Sequence, residues 1–276
     1  MVGLFRHHER RREVANGGMR EAAAARAGRG GMARPLKDWL DREVAALRGR
    51  PLRWLSESHF FRDPDRPEWS DTGFFFPPAD GIVLYARTLG PDEPVLDVKG
   101  RSFSLRELLR MPGYDRRSLV IGIFMTFYDV HVNRIPYAGR LSWRELDPIA
   151  THNYPMLPVE QSLLAGAPEL ARAGDYLVYN QRVLNTVTSL ELGLRYYVLQ
   201  VADYDVDCIT PFCLKQHRSF AQNQRFSQIR YGSQVDLIVP LSPRHTFTPL
   251  VEAGVHVEGA VDPIVRIAAA PGEAKP

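Results

Sequence analysis

The stretch Arg230-Tyr231-Gly232-Ser233-Gln234-Val235-Asp236 marks the point where a turn passes into an apolar strand. A Gly-Ser pair before a strand is typical of a turn, and most such pairs have no further role. Glycine lacks a Cβ, so its backbone can adopt angles closed to other residues and leave its carbonyl open to attack by the next side chain. Ser233 would supply that hydroxyl. The bond between Gly232 and Ser233 is therefore either an ordinary turn or a cleavage point.

The composition is that of an ordinary globular protein, with 276 residues, 45% of them hydrophobic and 24% charged. The longest apolar stretch, residues 119–127, has about half the length of a membrane-spanning helix. No N-terminal segment resembles a secretory signal, so we expect a cytoplasmic protein. Cys208 and Cys213 are too few for a disulfide framework, and with His217 they are too few for a structural zinc site. We expect no metal.

Positive charge is concentrated in the first 50 residues, which hold twelve Lys and Arg against six Asp and Glu. A basic head suits an anionic surface, either a membrane leaflet or a nucleic acid, although a solvated tail would look the same. Residues 1–34 have the composition of a mobile extension. From Pro35 onward, apolar residues recur at helical spacing and predict an amphipathic helix. Its apolar stripe either rests on lipid or, as we favour, packs on the protein's own core: Leu36, Trp39, Leu40, Val44 and Leu47.

Beyond residue 80 the pattern is mainly that of β-strands, which we predict at 82–86, 95–98, 119–127, 194–202, 235–239 and 264–267. Ser104 and Glu107 form a capping box for a short helix, and a second short helix is predicted over 159–171. The fold class is therefore α+β, with a mostly antiparallel β core and peripheral helices. The C-terminal segment 251–267, with Gly254 and Gly259 in turns, predicts a lipoyl-like hairpin.

Several short motifs in fixed order resemble the phosphatidylserine decarboxylase proenzyme family over residues 58–268. Asn180-Gln181-Arg182 stands where that family has Asn-Glu-Arg, and Gly232-Ser233 stands at its Gly-Ser. The form His-Val-Asn-Arg-x-Pro at 131–136 is similar to the shorter, archaeal-like branch. The other matching segments are Phe60-Phe61-Arg62-Asp63-Pro64, Pro78-Ala79-Asp80-Gly81, the run from Val98-Lys99-Gly100 to Ser104-Leu105, and 124–139 as a whole.

The resemblance implies an enzyme that makes its own carbonyl cofactor, a pyruvoyl group formed from Ser233, without metal or pyridoxal phosphate. Ser233 would attack the Gly232 carbonyl, convert the peptide bond to an ester and then undergo elimination. The implied organisation is a basic N-terminal extension with its helix (1–50), a β chain (51–232) and an α chain (233–276). In the mature enzyme the ketone would form a Schiff base with the substrate amine and accept the electrons released with carbon dioxide.

The same resemblance suggests site residues. The family's processing machinery is an Asp, a His and the Ser, which fall on Asp80, His131 and Ser233; Asp80 would orient the ring of His131. Longer members carry a second His where this chain has Arg134, so either His131 serves both reactions or Arg134 binds the substrate carboxylate or phosphate. Three further cations are candidate phosphate ligands: Lys99, Arg62 and Arg182. Each residue also has an ordinary structural reading, as a turn Asp, a core His or a surface cation.

The function implied is decarboxylation of phosphatidylserine to phosphatidylethanolamine by a carboxy-lyase lying peripherally on the inner face of the cell membrane. Its partners would be the anionic membrane, its own cleaved chain in a β/α heterodimer and a second copy in a homo-oligomer, with no nucleic acid. Two alternatives stay open: a pyruvoyl-dependent decarboxylase of a soluble amino acid or other serine derivative, and a non-catalytic membrane-binding homologue. Gln234 bears on the second, because the family more often has Ser, Thr or Arg there. A serine hydrolase is disfavoured because the Gly-x-Ser-x-Gly elbow is missing.

Overall fold

The computed structural model describes residues 33–66, 70–98, 101–146, 154–167, 176–203, 208–230 and 232–270. Lys99, and all but the last two residues of the predicted extension 1–34, lie outside this set. Within the described residues, no helix is long and apolar enough to cross a membrane.

In the part of the chain that the structure describes, five short helices lie around the strands. Helix α1 consists of Leu36–Trp39, a π-helical turn Leu40–Val44 and Ala45–Leu47; α2 consists of Leu52–Trp54 and the π-helical Leu55–His59. The others are α3 (Leu105–Leu109), α4 (Leu157–Leu164) and α5 (Tyr176–Tyr179). Helix α3 has the predicted capping box, in which Ser104 and Glu107 satisfy each other's backbone N–H groups. The helix predicted over 159–171 begins earlier and ends at Leu164, and residues 168–171 lie outside the described set.

The strands are β1 (Arg34–Pro35), β2 (Phe74–Phe75), β3 (Gly81–Leu89), β4 (Pro94–Val98), β5 (Arg101–Ser104), β6 (Ser118–Met125), β7 (Val132–Arg134), β8 (Gly139–Leu146), β9 (Arg182–Ser189), β10 (Leu194–Ala202), β11 (Ile209–Pro211), β12 (Arg218–Phe220), β13 (Arg225–Ile229), β14 (Ser233–Pro240), β15 (His245–Pro249), β16 (Val255–Val257) and β17 (Val265–Ala269). All six predicted strands are present, with ends shifted by up to three residues. The mixed apolar and polar pattern of 139–146 hid β8 from the prediction.

Nine strands form one antiparallel sheet in the order β1-β16-β3-β6-β14-β10-β9-β8-β12. Three smaller sheets have the orders β11-β13-β7, β15-β17-β2 and β4-β5. The predicted α+β class with a mostly antiparallel core is confirmed. Strand β14 lies in the middle of the large sheet, where Ser233 pairs with Met125 of β6 on one side and with Ala202 of β10 on the other. The Gly232–Ser233 bond therefore lies where the chain enters the central strand.

Two hydrophobic cores cover the two faces of the large sheet. All eight residues of β14 are buried, and its odd-numbered apolar residues Val235, Leu237 and Val239 belong to one core while Ile238 belongs to the other. This division follows from the alternation of side chains along a strand. Ser233 has the parity of the first group, so its hydroxyl points to the same face as Val235.

Helix α1 packs against the second core, with Leu36, Trp39 and Val44 buried. This confirms the prediction that its apolar stripe covers the protein's own core. The segment is also attached to β16, because β1 pairs with that strand and Leu36 N–H donates to Gly254 O at 3.1 Å.

The predicted hairpin over 251–267 is wrong. Strand β16 pairs with β1 and β3, whereas β17 pairs with β15 and β2 in a different sheet. Side chains bind the backbone between them: the Asp262 carboxylate accepts from Glu258 N–H at 2.8 Å and Asp80 accepts from Gly259 N–H at 2.7 Å. Because these backbone donors are satisfied by side chains, the segment crosses between the sheets without pairing to itself.

Candidate active site around Gly232 and Ser233

Ser233 is completely buried, and its hydroxyl has only a sulfur as a described partner. The Ser233 Oγ lies 3.3 Å from Met125 Sδ, and Asn133 Nδ2 donates to the same sulfur at 3.7 Å. A thioether is a weak acceptor. The hydroxyl proton is therefore held loosely, which leaves this proton available to a stronger base.

Gly232 is a glycine because of what lies beside it. A Cβ at this position would lie 2.9 Å from Asp203 Oδ2 and 3.9 Å from Glu160 Oε2. The first distance is shorter than a carbon and an oxygen can approach without a shift. Because residue 231 lies outside the described residues, the expectation of unusual backbone angles at Gly232 stays a prediction. The absence of a side chain at Gly232 leaves room for the Asp203 carboxylate next to the bond.

A tight loop after β6 positions His131. The Asp129 carboxylate accepts from Thr126 N–H at 2.8 Å and from Thr126 Oγ1 at 2.7 Å, which closes the loop. His131 is buried, its Nδ1 lies 3.1 Å from the Asp129 carbonyl oxygen, and its ring packs 4.0 Å from that of Phe60. Because a carbonyl only accepts, Nδ1 carries the proton and Nε2 holds a lone pair.

The Nε2 atom of His131 is buried and makes no hydrogen bond within the described residues. Burial lowers the pKa of His131 to about 4, against weaker opposing effects of Asp129. The ring is therefore neutral at physiological pH and can accept a proton at Nε2. Its backbone lies near the cleavage point, since Ile229 N–H donates to His131 O at 3.1 Å and Ile229 precedes Gly232 by three residues.

Asp80 directly precedes Gly81, a position where the backbone angle and the close neighbours require a glycine. Gly81 has a φ of 154°, and a Cβ there would lie 2.2 Å from Phe124 O. The buried Asp80 carboxylate accepts from Gly259 N–H at 2.7 Å and from Arg66 Nη2 at 2.5 Å. Burial raises the pKa of Asp80 to about 6, with Arg66 opposing the rise. The described partners of Asp80 are thus Arg66 and Gly259, not the ring of His131.

The comparison with known proteins decides the family. A family model described as phosphatidylserine decarboxylase matches residues 57–264, a range that includes His131, Asp80 and the Gly232–Ser233 bond. The chain belongs to the phosphatidylserine decarboxylase family. This confirms the predicted resemblance, and because the family is named for a decarboxylation, it also supports the predicted class of carboxy-lyase.

Individual relatives agree. The chain is 37% identical to a phosphatidylserine decarboxylase proenzyme of Symbiobacterium thermophilum over 89 residues, which cover 32% of this chain and 33% of that one. It is 29% identical to a putative archaetidylserine decarboxylase proenzyme of Methanothermobacter thermautotrophicus over 66% of this chain and 69% of the relative. A phosphatidylserine decarboxylase proenzyme of Nitratidesulfovibrio vulgaris is 28% identical over 75% of each chain. The matches thus span between one third and about three quarters of these relatives' lengths.

A second buried histidine, which the sequence did not indicate, lies close to this decarboxylase-family site. His256 Nε2 lies 2.7 Å from Asp129 Oδ1, and its ring stacks on Trp39 with centroids 4.5 Å apart. Burial lowers the pKa of His256, but the Asp129 carboxylate more than offsets this, so the pKa is raised overall. A buried imidazole from β16 therefore lies against the loop that carries His131.

The predicted arginine ligands are engaged by the protein itself. Arg62 donates to the carbonyl oxygens of Tyr128 at 2.6 Å and Asp129 at 3.3 Å, so it supports the loop before His131. Arg134 pairs with Asp63 at 3.0 Å. Arg182 is fully buried and donates to two carbonyl oxygens, while its Nε and Nη2 have no partner among the described residues. Burial lowers the pKa of Arg182 to about 9.

Gln234 points away from Ser233, into the opposite core. Its Nε2 donates to Tyr85 OH at 2.9 Å and to Asp236 Oδ1 at 2.7 Å, and its Oε1 accepts from Tyr176 OH at 2.5 Å. Tyr85 OH also donates to Asp236 Oδ2 at 2.9 Å. The residue that departs from the family pattern therefore belongs to a closed polar network, and its side chain lies outside the cleavage site.

Proposed function

We propose that this chain is a self-processing, pyruvoyl-dependent decarboxylase that converts phosphatidylserine to phosphatidylethanolamine and carbon dioxide. The observation that carries the proposal is the setting of the Gly232–Ser233 bond. It lies at the head of the central strand, with a loosely held, buried serine hydroxyl, inside the range matched by the family model. An ordinary turn before an edge strand would be exposed and would have no such neighbours.

Maturation begins when His131 Nε2 accepts the proton of the Ser233 hydroxyl. The oxygen then attacks the Gly232 carbonyl carbon, the C–N bond breaks and an ester replaces the amide. A base next removes the Ser233 Cα proton, and the Gly232 carboxylate leaves with the C–O bonding pair. The dehydroalanine that remains takes up water and releases ammonia, which leaves the pyruvoyl group. The neutral Nε2 of His131 supports its role as the base, and Asp80 acts as a positioning residue that fixes Gly259 and Arg66.

In turnover, the pyruvoyl ketone supplies the electron sink for decarboxylation. The chain's own residues supply the rest. Burial of Ser233 by both cores excludes bulk water from this position, and the protonated form of His131 can return a proton to the product carbon. Arg62 holds the loop that carries His131, so its proposed contribution is positioning. Arg134, Arg182 and Lys99 remain proposals as substrate ligands.

The two products of cleavage, one ending at Gly232 and one beginning at Ser233, are proposed to stay together as a β/α heterodimer. Strand β14 lies between β6 and β10, and its Gln234 is bound by Tyr85 and Tyr176 of the other piece. Helix α1, in the N-terminal part, covers β16 of the small chain through Trp39. Backbone pairing and buried polar contacts therefore replace the broken covalent bond.

A membrane substrate is supported by the surface of α2. Leu52 and Trp54 are 73% and 41% exposed, and Phe61 just beyond the helix is 42% exposed. Arg50 and Arg53 lie in the same segment, which gives the mixture of apolar and basic side chains that suits an anionic lipid interface. Phe60, which directly precedes the exposed Phe61, packs on His131. This surface therefore leads towards the site, and we propose peripheral attachment to the inner membrane face.

Archaetidylserine is the second candidate substrate, because the relative from Methanothermobacter thermautotrophicus is named as a putative archaetidylserine decarboxylase proenzyme. Both substrates present a phosphoserine head group and differ in the lipid part. Turnover should be compared on vesicles of each lipid and on free serine, phosphoserine and other amino acids. Higher turnover on vesicles is expected; equal or faster turnover of a soluble amino acid would overturn the lipid assignment.

Processing itself is tested by denaturing electrophoresis of the purified wild-type protein. Two pieces are expected from the wild type and one from Ser233→Ala, which also lacks decarboxylase activity. His131→Ala should slow cleavage, and normal processing and turnover in that variant would exclude His131 as the base. An intact wild-type chain with no ketone reducible by borohydride would favour the non-catalytic, membrane-binding alternative.

A further inference from the structure

Two carboxyl groups flank the cleavage bond on the Gly232 side, and neither belongs to a motif of the family resemblance. Glu160 is buried on α4; its Oε1 accepts from Phe127 N–H at 2.7 Å, in the loop that carries His131. Its Oε2 points to Gly232, 3.9 Å from where a Cβ would stand. Asp203 Oδ2 lies closer, 2.9 Å from the same Cβ position on Gly232. Its Oδ1 accepts from Met156 N–H at 2.7 Å, at the start of the same helix.

The acyl shift requires an acid as well as a base. When the C–N bond of Gly232 breaks, the nitrogen of Ser233 takes the bonding pair, and an amide anion is too basic to leave without a proton. His131 takes the hydroxyl proton on the serine side. The nitrogen can then be protonated either by the same imidazole or by a second acid on the Gly232 side.

We propose that Glu160 is this acid and that Asp203 positions it and keeps it protonated. Glu160 donates its proton to the Ser233 nitrogen as that nitrogen leaves the Gly232 carbonyl carbon. The products of the step are the ester, the free amine, protonated His131 and ionised Glu160. One proton is taken and one is given, and no further reactant is needed. This inference rests on the proposed self-cleavage.

The charges around Glu160 suit this role. Burial raises the pKa of Glu160 to about 7; the Phe127 N–H opposes the rise, and the carboxylates of Asp129 and Asp203 add to it. These are the charged groups that face it from the loop and from the end of β10. A large fraction of Glu160 is therefore protonated near neutral pH, whereas an exposed glutamate would be almost fully ionised. Asp203 thus has two effects on Glu160: it anchors α4 at Met156, and its charge favours the acid form.

The test is the pH dependence of self-cleavage in Glu160→Gln. Gln keeps the shape of the side chain and an acceptor for Phe127 N–H but cannot donate a carboxyl proton. The chains would be made by cell-free translation, shifted to buffers between about pH 5 and 9, and followed by electrophoresis. General acid catalysis is typically worth about 10²–10⁴-fold, so cleavage of the variant should be at least about 100-fold slower. The wild-type rate should fall as pH rises through about 7, and the variant should lack this fall.

Two more variants separate chemistry from folding. Asp203→Asn removes the neighbouring charge, so the fall in wild-type rate should move to lower pH. Asp262→Asn is the matched control, because Asp262 is also a buried carboxyl that accepts one backbone N–H and has its pKa raised by burial to about 7. It should cleave at the wild-type rate. Neutral hydroxylamine, which cuts esters, should not cut uncleaved Glu160→Gln, since the block precedes the ester.

The outcomes are distinct. A wild-type chain that never cleaves would refute the proposed function itself. If the wild type cleaves, the role of Glu160 is refuted by any of three results: a wild-type rate in Glu160→Gln, a slow rate with an unchanged pH profile, or an ester that hydroxylamine cuts. A rate lowered equally in Asp262→Asn would also refute it, because the effect would then belong to buried carboxyl groups in general.

Discussion

Replacing Gln234 by methionine should destabilise the protein by about 2.5–6 kcal/mol, because the amide closes a buried network. Methionine keeps the length and volume of the side chain but removes its two donors and its acceptor. Tyr176 OH then loses the Oε1 acceptor at 2.5 Å, and Asp236 Oδ1 loses the donor at 2.7 Å. The contact between Tyr85 OH and Asp236 Oδ2 is retained.

The magnitude follows from the two groups that lose a partner, Tyr176 OH and Asp236 Oδ1. A buried hydroxyl without a partner costs roughly 1–3 kcal/mol, and the loss of a hydrogen bond to a charged group costs roughly 1.5–3 kcal/mol. Because Tyr176, Gln234 and Asp236 are all buried, water cannot replace the lost partners without opening the core. The sum, about 2.5–6 kcal/mol, would be a large share of the stability of an ordinary domain.

The assay is urea unfolding followed by fluorescence, in a Ser233→Ala background so that the chain stays in one piece. The matched control is Gln161→Met, which makes the same chemical change at an exposed position of α4 and should alter the free energy of unfolding by less than about 0.5 kcal/mol. A loss below about 1 kcal/mol in Gln234→Met would refute the reasoning, since the network would then be replaceable.

Two further predictions concern stability. Burial raises the pKa of Asp236 to about 6, so the folded state holds this proton more tightly than the unfolded state. Its contribution to stability is therefore full below about pH 4 and is lost as pH rises through about 6. In the same Ser233→Ala background, Asp236→Asn should remove about 3 kcal/mol of pH dependence from the free energy of unfolding over that window. An unchanged dependence on pH would contradict this prediction. Trp39→Ala, which removes the ring stacked on His256, should destabilise the protein by about 3–5 kcal/mol and release the small chain on native size exclusion, whereas the partly exposed Trp54→Ala should cost less than about 1 kcal/mol. Equal effects of the two tryptophans would show that the cover on β16 is dispensable.

The sequence predicted the elements that have a strong local signal. The apolar run of β6 and the capping box of α3 were predicted because their causes lie within a few residues. The C-terminal hairpin failed because the pairing of β16 and β17 depends on strands far away in the chain. Local turn signals at Gly254 and Gly259 could not reveal that Asp80 binds Gly259 N–H.

The same difference between local signals and distant contacts applies to the residues of the candidate site. Ser233 and His131 were predicted from ordered motifs, and both are buried in the structure, Ser233 at the start of β14 and His131 just before β7. Glu160, Asp203 and His256 were missed, because a lone carboxylate on a short helix or a histidine in a strand has no distinctive spacing. Their relevance arises from the approach of α4 and β16 to the loop before His131. For Gly232 the sequence could not reveal the carboxylate of Asp203 beside it, because the two residues approach each other only in the fold.

The central claim is that Ser233 becomes the cofactor, and intact mass spectrometry of the purified protein tests it most directly. We predict two chains, one ending at Gly232 and one that begins at residue 233. The second should be lighter by the mass of one ammonia than the product of simple hydrolysis, and borohydride should add two hydrogens to it. A single intact chain, or a small chain with a free Ser233 amine and the full hydrolytic mass, would contradict the account.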